Sequence, residues 1–484
     1  MQRSDYQNLL DHMGMHKLPV GFEEAFSLYK PDGCTELIGR SDYEALLAPY
    51  ELDREKKQYL DEALLAIEND EKVLLFSRFF VWDMCSERNK YDIDNYTELM
   101  PSCLGKYNEA YAFLVLLSCV PVAEKEMIRR QIPKEYYQDI PHRMLRDQMK
   151  RYKETGRIDV EDMPWKMNFY TLTIFLLDRF LFIPYEHGEG FRLYRSNKTG
   201  KVIGIPESGC IYDHEGQLLS WPPEDEATAQ SEGAETETPE DEMQTNETAD
   251  EQSACGREED DKETACGDGS RQGTGYEYAT RPAKRPETFT TTRTETEREI
   301  TGYYMNPVGY TENRQITIDK DEYVEVLKPG DYLIALHIPG GEGYTPERMH
   351  HSMALALDFF AKYYPELTMK GFWSSSWLYD KRLEMIIGKG RNITNVQNLM
   401  FRYSDGENGH MLYIHLYKNM ESRLRDYPCT TSLQKGAREF LLNGNRFCTT
   451  GMMILKEEAL NGAAYYTEED ERHFYELMKA EGIQ

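Results

Sequence analysis

Up to about residue 178, the apolar positions of this 484-residue chain follow helical spacing. Within residues 53–69, Leu60, Ala63, Leu64 and Ile67 share one face. Residues 106–119 are apolar nearly all round, which predicts a core helix. The longest apolar run, 110–122, contains Pro121 and is too short to span a bilayer. A charged helix is predicted over 141–153. Pro164 opens another, running through Phe169, Leu172, Phe175 and Leu176.

From Arg179 the spacing turns strand-like. Residues 180–185 are apolar and aromatic. Segments 191–195 and 202–205 flank a hairpin turn at 196–200, and 210–212 and 217–219 flank another at 213–216. From 222 to 298 the periodicity vanishes. Ser, Thr, Glu, Asp, Gly and Pro dominate there, too little apolar surface to offset chain entropy, so a disordered insert is expected.

Order is predicted again from about residue 300. Residues 331–339 read as a strand, 345–364 as a helix, 371–378 as a strand and 380–387 as a short helix. Strands are predicted at 398–403 and 411–417, around a turn at 404–409. Helices over 431–442 and 467–480 close the chain, the last with a capping box from Thr467 to Asp470. The fold class is therefore α+β. A helical part ending in strands (1–221) precedes the insert (222–298) and a mixed sheet flanked by helices (299–484).

Charge changes little in this picture. The net charge is −29, but residues 224–268 hold 18 acidic and two basic residues, −16 in all. That leaves −13 for the other 439 residues. A nucleic-acid or anionic-membrane surface is not expected, because phosphate binding needs a basic face. The nine cysteines form no CxxC pair, which suggests a reducing compartment and no disulfide framework. Cys255 and Cys266 sit in two similar Ala-Cys-Gly pieces of the insert, without further ligands at metal spacing; no metal site is predicted. The start of the chain has no apolar signal region, so a soluble, cytoplasmic protein is the default expectation.

The segment 333–379 carries the candidate chemistry. Residues 333–338 form an apolar strand that breaks at Pro339, Gly340, Gly341 and Gly343. The next helix has Thr345 as N-cap, Pro346 at its first position and Glu347 in its first turn. Met349, Met353, Ala356, Phe360 and Tyr363 mark its buried stripe. The chain then returns as a strand, which favours a right-handed parallel crossover. Free N–H groups at such a helix start, with glycines before them, can hold a phosphate. The same glycines could simply make a tight connection. The loop fits neither GxxxxGK[ST] nor GxGxxG.

The order of elements is that of the GNAT acyltransferase fold. His337, Ile338 and Pro339, then Thr345, Pro346 and Glu347, then Phe359 and Phe360 with Tyr364, Pro365 and Glu366, follow one another. Ser376, Trp377, Leu378, Tyr379 and Asp380 come next, then Asn392 and Ile393. This ordered set resembles a bacterial acyltransferase family with an N-acyltransferase N-terminal domain and a GNAT-like C-terminal domain. Ile132 to Glu135 and Leu177 to Glu186 are similar to its N-terminal pattern. The resemblance covers roughly 75–220 and 300–455, and the acidic insert departs from it.

The resemblance implies acyl transfer from acetyl-CoA or another acyl-CoA to an amine not identified by sequence. It implies that pantetheine lies between Leu336 and Ile338 on one strand and residues 373–377 on the other. The pyrophosphate would meet the N–H groups of Gly340, Gly341, Gly343 and Tyr344. Ser374, Ser375 and Ser376, with Trp377, would line the pantetheine side. Transfer needs a base for the amine and an acid for the leaving thiolate. His337 is a base candidate, or else hydrogen-bonds a carbonyl or Asp380. Asp380 is a base, an orienter of His337 or a helix cap. Tyr379 stands where a GNAT general acid often lies, or is a packing residue. Glu186 is a second base candidate.

Two other readings compete. The three serines with His337 and Asp380 could form a hydrolase triad, but no GxSxG elbow frames them. Alternatively, the chain is a non-catalytic GNAT-like module that binds CoA or a related ligand and reports it to a partner. A separate reading, of the insert alone, makes it a protein-interaction tether. His350 and His351 are adjacent on one helix, point apart and are expected at the surface.

Overall fold

The computed structural model describes residues 3–15, 22–30, 36–86, 99–158, 160, 163–222, 287–406, 410–417, 424–462 and 465–480. The acidic stretch, with Cys255 and Cys266, lies outside the described residues. The N-terminal part is helical, with its principal helices at Arg54–Asn69, Glu71–Ser86, Tyr111–Arg129 and Ile140–Thr155. Asp53 caps the first of these through its side chain, which accepts from the Lys56 N–H. Phe113, Leu114, Val115, Leu116 and Leu117 are all fully buried, so Tyr111–Arg129 is a core helix that carries Pro121 inside it. Phe22, Phe76, Phe79 and Phe80 pack edge-to-face beside it. No described helix is long and apolar enough to cross a membrane.

The strands are β1 (Phe175–Leu177), β2 (Phe180–Glu186), β3 (Phe191–Ser196), β4 (Val202–Pro206), β5 (Ile211–Tyr212) and β6 (Leu218–Ser220), then β7 (Phe289–Thr290), β8 (Thr294–Glu295), β9 (Glu299–Asn306), β10 (Tyr310–Asp319), β11 (Tyr323–Leu327), β12 (Tyr332–His337), β13 (Met369–Ser376), β14 (Phe401–Ser404) and β15 (Thr450–Leu455). One sheet runs β1-β2-β12-β13-β15-β14 and a second β10-β9-β4-β3-β11, while β6-β5-β7 form a small third. The first two sheets each draw strands from both sides of residues 223–286. The two halves of the chain therefore share their cores.

β12 and β13 are parallel, joined by the predicted crossover helix at Pro346–Tyr363. Thr345 caps this helix as expected, its side chain accepting from the Arg348 N–H. Met349, Met353, Ala356 and Phe360 bury against one face of the first sheet, with Phe372 and Ile334 opposite. Each of the buried Met, Phe and Ile side chains contributes about 1.5–3 kcal/mol. On the other sheet face Leu333, Phe401, Met453 and Leu455 meet Phe191, Leu193 and Leu327 of the second sheet.

Four expectations differ from the structure. The helix opened by Pro164 stops at Tyr170, and Phe175–Leu177 is a strand. Leu172 takes a left-handed φ of 53°, between β-branched Thr171 and Thr173, whose stiff side chains disfavour helix. The predicted strand at 411–417 is a helix, His410–Tyr417, an ambiguity inherent in short apolar runs. The sheet position falls instead to β15, unpredicted and fully buried. The stretch expected to stay disordered up to 298 already forms β7 and β8. Thr291 anchors it, its hydroxyl donating to the Glu207 carbonyl.

Candidate functional site

β12 is bonded along its whole length to β2, from Tyr332 opposite Glu186 to His337 opposite Leu181. β13 is bonded to β15 from Gly371 opposite Leu455 to Ser376 opposite Thr450. Between them, the pairing stops at Ala335 opposite Trp373. Beyond that level Leu336 and His337 follow β2, while Ser374, Ser375 and Ser376 follow β15. The two parallel strands therefore part at their C-terminal ends, and a wedge opens in the middle of the sheet. Gly371 keeps β13 close to β15, because a Cβ there would meet the Ile454 carbonyl oxygen at 2.3 Å.

The glycine loop sits over the mouth of this wedge. Gly341 and Gly343 have φ of 111° and 93°, which only glycine adopts freely. Arg179, in the tight turn between β1 and β2, gathers the loop from one side. Its Nε donates to the Glu342 carbonyl at 2.7 Å, and its Nη2 to the carbonyls of Pro339 at 2.7 Å and Gly341 at 3.2 Å. Asp178 beside it pairs with Arg348 at 2.7 Å and accepts from the Ser352 hydroxyl. With the carbonyls taken, the N–H groups of Gly340, Gly341, Glu342, Gly343 and Tyr344 donate to no acceptor among the described residues. Gly340, Gly341 and Gly343 are exposed. The loop thus offers a row of free donors at a helix start, the chemistry an anion needs.

The predicted catalytic residues fare unevenly. His337 stands at the end of β12, its ring 4.7 Å from that of Trp165. Burial pushes its pKa down to about 4, so it is neutral at physiological pH, although the ring keeps partial solvent contact. Asp380 does not join it. That carboxylate accepts from the backbone N–H of Arg382 at 2.9 Å and of Cys448 at 2.7 Å, and from Arg382 Nη1 at 3.2 Å. Asp380 is thus a turn and ion-pair residue ahead of the Leu383–Ile387 helix, and a His337–Asp380 couple is absent among the described residues. Tyr379 is fully buried and donates to Ser374 Oγ at 2.9 Å, at the edge of the wedge. Burial drives its pKa upward, which keeps the phenol protonated. Tyr344 is half-buried, but its hydroxyl oxygen is enclosed and has no partner among the described residues.

Glu186 does not belong to the site. It is exposed and lies opposite Tyr332, five residues from the His337 level, or roughly 17 Å along the sheet. The hydrolase triad is also absent among the described residues. Ser374 is bonded to Tyr379, Ser375 to Asp405, and Ser376 caps Leu378 N–H. Trp377 is buried and stacks on His415, while Leu336 is buried and Ile338 half-buried at the opposite lip. His350 and His351 are exposed, as predicted.

Sequence reasoning missed a polar constellation on the other face of β13. Trp373 stacks on Tyr185, with ring centroids 4.2 Å apart, and donates to the Tyr403 hydroxyl at 2.8 Å. Glu189 Oε1 accepts from Tyr185 at 2.9 Å and from Tyr403 at 3.3 Å. Its Oε2 lies 2.5 Å from His187 Nδ1, and His187 Nε2 lies 3.0 Å from the Phe191 carbonyl oxygen. A carbonyl only accepts, so Nε2 carries a hydrogen. Nδ1 then faces the Glu189 carboxylate, which holds the imidazole ring in place. Both residues are buried, at 1% and 5% exposure. The signal for it in the sequence is the run Glu186, His187, Gly188, Glu189, Gly190 directly after a strand.

A family model described as GNAT-like C-terminal domain matches residues 277–453. No curated protein matches the chain significantly. Among solved structures, an acyltransferase mutant in complex with octanoyl-CoA aligns at a TM-score of 0.52 and 13% identity, over 93% of this chain and 99% of its own. An acyltransferase in complex with decanoyl-CoA aligns at 0.51 and 12%, over 94% and 99%. At such identities the likeness concerns the fold, and it extends over both halves of the chain.

Proposed function

We propose that this protein is an acyl-CoA-dependent N-acyltransferase, with the wedge between β12 and β13 as its acyl-CoA cleft. The observation that carries the reading is the loss of pairing beyond Ala335 and Trp373, directly beneath a loop with five free N–H groups. Leu336, Ile338 and Ser374 to Trp377 would line the pantetheine arm, and Gly340 to Tyr344 would hold the pyrophosphate. The orphan Tyr344 hydroxyl suits a polar group entering the wedge. The solved relatives hold octanoyl- and decanoyl-CoA, which makes medium-length acyl chains the first to try.

The amine must lose a proton as it attacks the thioester carbonyl, and the thiolate must gain one as it leaves. Tyr379 keeps its proton until a stronger base arrives, which fits the donor role. Glu189, which accepts from Tyr185 and Tyr403 and lies against His187, fits the acceptor role, relayed through Tyr185 or Tyr403. His337 is a poor base at a pKa near 4 and is better read as a wall of the cleft beside Trp165. The helical N-terminal part would cover the acceptor side.

Calorimetry with octanoyl-CoA and desulfo-CoA tests the cleft. Binding that falls at least tenfold in Gly341→Glu is expected; equal affinity in that variant would sink the assignment. Thiol release with a panel of amines then separates transferase from sensor. A CoA-binding sensor without turnover is the second reading, favoured by the firm engagement of Asp380 and all three serines in internal hydrogen bonds.

A further inference from the structure

We propose that His12, Asp70 and Cys103 form a site for a thiophilic divalent cation, Zn²⁺ above all, in the helical half of the protein. The three residues come from separate segments: the last turn of the Arg3–Met13 helix, the junction before Glu71–Ser86, and the 3₁₀ stretch Ser102–Ala110. One ligand atom of each, imidazole N, carboxylate O and Sγ, lies within 4.8 Å of the other two. In a tetrahedral zinc site the bond lengths of about 2.0–2.3 Å put neighbouring ligand atoms roughly 3.3–3.8 Å apart. A cation entering between the three would therefore move each by about 1 Å or less.

The donors are held from behind. Asp70 Oδ1 accepts from the N–H groups of Lys72 and Val73, each at 3.1 Å. That fixes Oδ2 toward His12 Nε2, 2.7 Å away. Ser102 donates to the Met13 carbonyl at 3.2 Å, which ties the segment bearing Cys103 to the helix bearing His12. Such outer partners orient metal ligands. A His–Asp ion pair alone would need no sulfur beside it. His12 and Cys103 are exposed, so water has access to a fourth coordination position. One imidazole, one carboxylate and one thiolate form a borderline-soft set, which selects zinc over magnesium or calcium. The residues lie 58 and 33 positions apart, so no sequence spacing reveals them. Bound metal would pin the first helix to the start of Glu71–Ser86 and to the Ser102–Ala110 segment.

The test uses the full-length, chelator-stripped protein titrated with Co²⁺ and then Zn²⁺. One equivalent of Co²⁺ should produce a thiolate-to-cobalt charge-transfer band, displaced by Zn²⁺. Cys103→Ser should abolish the band, and His12→Asn should weaken affinity at least tenfold. Zn²⁺ should raise the thermal midpoint of the parent but not of Cys103→Ser. The chain has other cysteines, so a band that survives Cys103→Ser would overturn the site. So would a failure of the parent to bind either ion stoichiometrically.

Discussion

Acid should strike this protein first through His337. Its ring is enclosed beside Trp165, and burial lowers its pKa from 6.5 to about 4. The unfolded chain therefore binds a proton at this residue between those values while the folded protein does not. Stability from this group is complete above pH 6.5 and is lost as the pH falls toward 4. For such a pair of values, linkage gives a loss of about 2.4 kcal/mol between pH 7 and about pH 4.5. The residue is half-buried by accessible surface, so solvent screening reduces the expected loss to about 1 kcal/mol. Urea unfolding of the parent and of His337→Gln at both pH values isolates the effect, because the acidic residues titrate equally in both proteins. The variant should lose less stability on acidification than the parent, by that amount. Parallel losses in the two proteins would refute the claim that His337 is buried uncharged.

Other residues give sharper local outcomes. In Gly451→Ala the new Cβ would lie 2.1 Å from Tyr403 Cζ, so the ring that bonds Trp373 must move; a loss of about 1–3 kcal/mol in urea unfolding, with an unchanged slope, is expected. Glu189→Gln keeps the shape of the His187 contact but removes the carboxylate. Turnover should drop tenfold or more, while the unfolding free energy stays within about 1 kcal/mol of the parent. Arg179→Ala frees three loop carbonyls, and CoA affinity should fall about tenfold by calorimetry.

The crossover from Leu333 to Tyr379 was legible because its signals are local: an apolar strand, glycine and proline punctuation, a threonine cap and a helical stripe. The parallel register followed from the length of the crossover. The wedge was implied by the resemblance alone; the residues themselves do not show it, since where pairing stops depends on β2 and β15 pulling the strands apart. The partners of Asp380 were equally hidden. Its proximity to His337 in the unit suggested a couple, whereas Cys448 and Arg382 claim the carboxylate. Glu189 was hidden because strand parity alone does not show which residue turns inward after the strand ends. Arg179 gave no signal, as a single arginine in a turn has no pattern to betray it.

The sharing of two sheets across residues 223–286 has a consequence for how the chain can be divided. A break within that stretch severs none of the described strands, yet each resulting piece would end with unpaired edges, β2 without β12 and β4 without β9. Such edges seek partners. Expressed apart, the two pieces should aggregate; expressed together, they should recombine into one heterodimer held by the former core. In that sense the chain behaves as two complementary fragments written in a single reading frame.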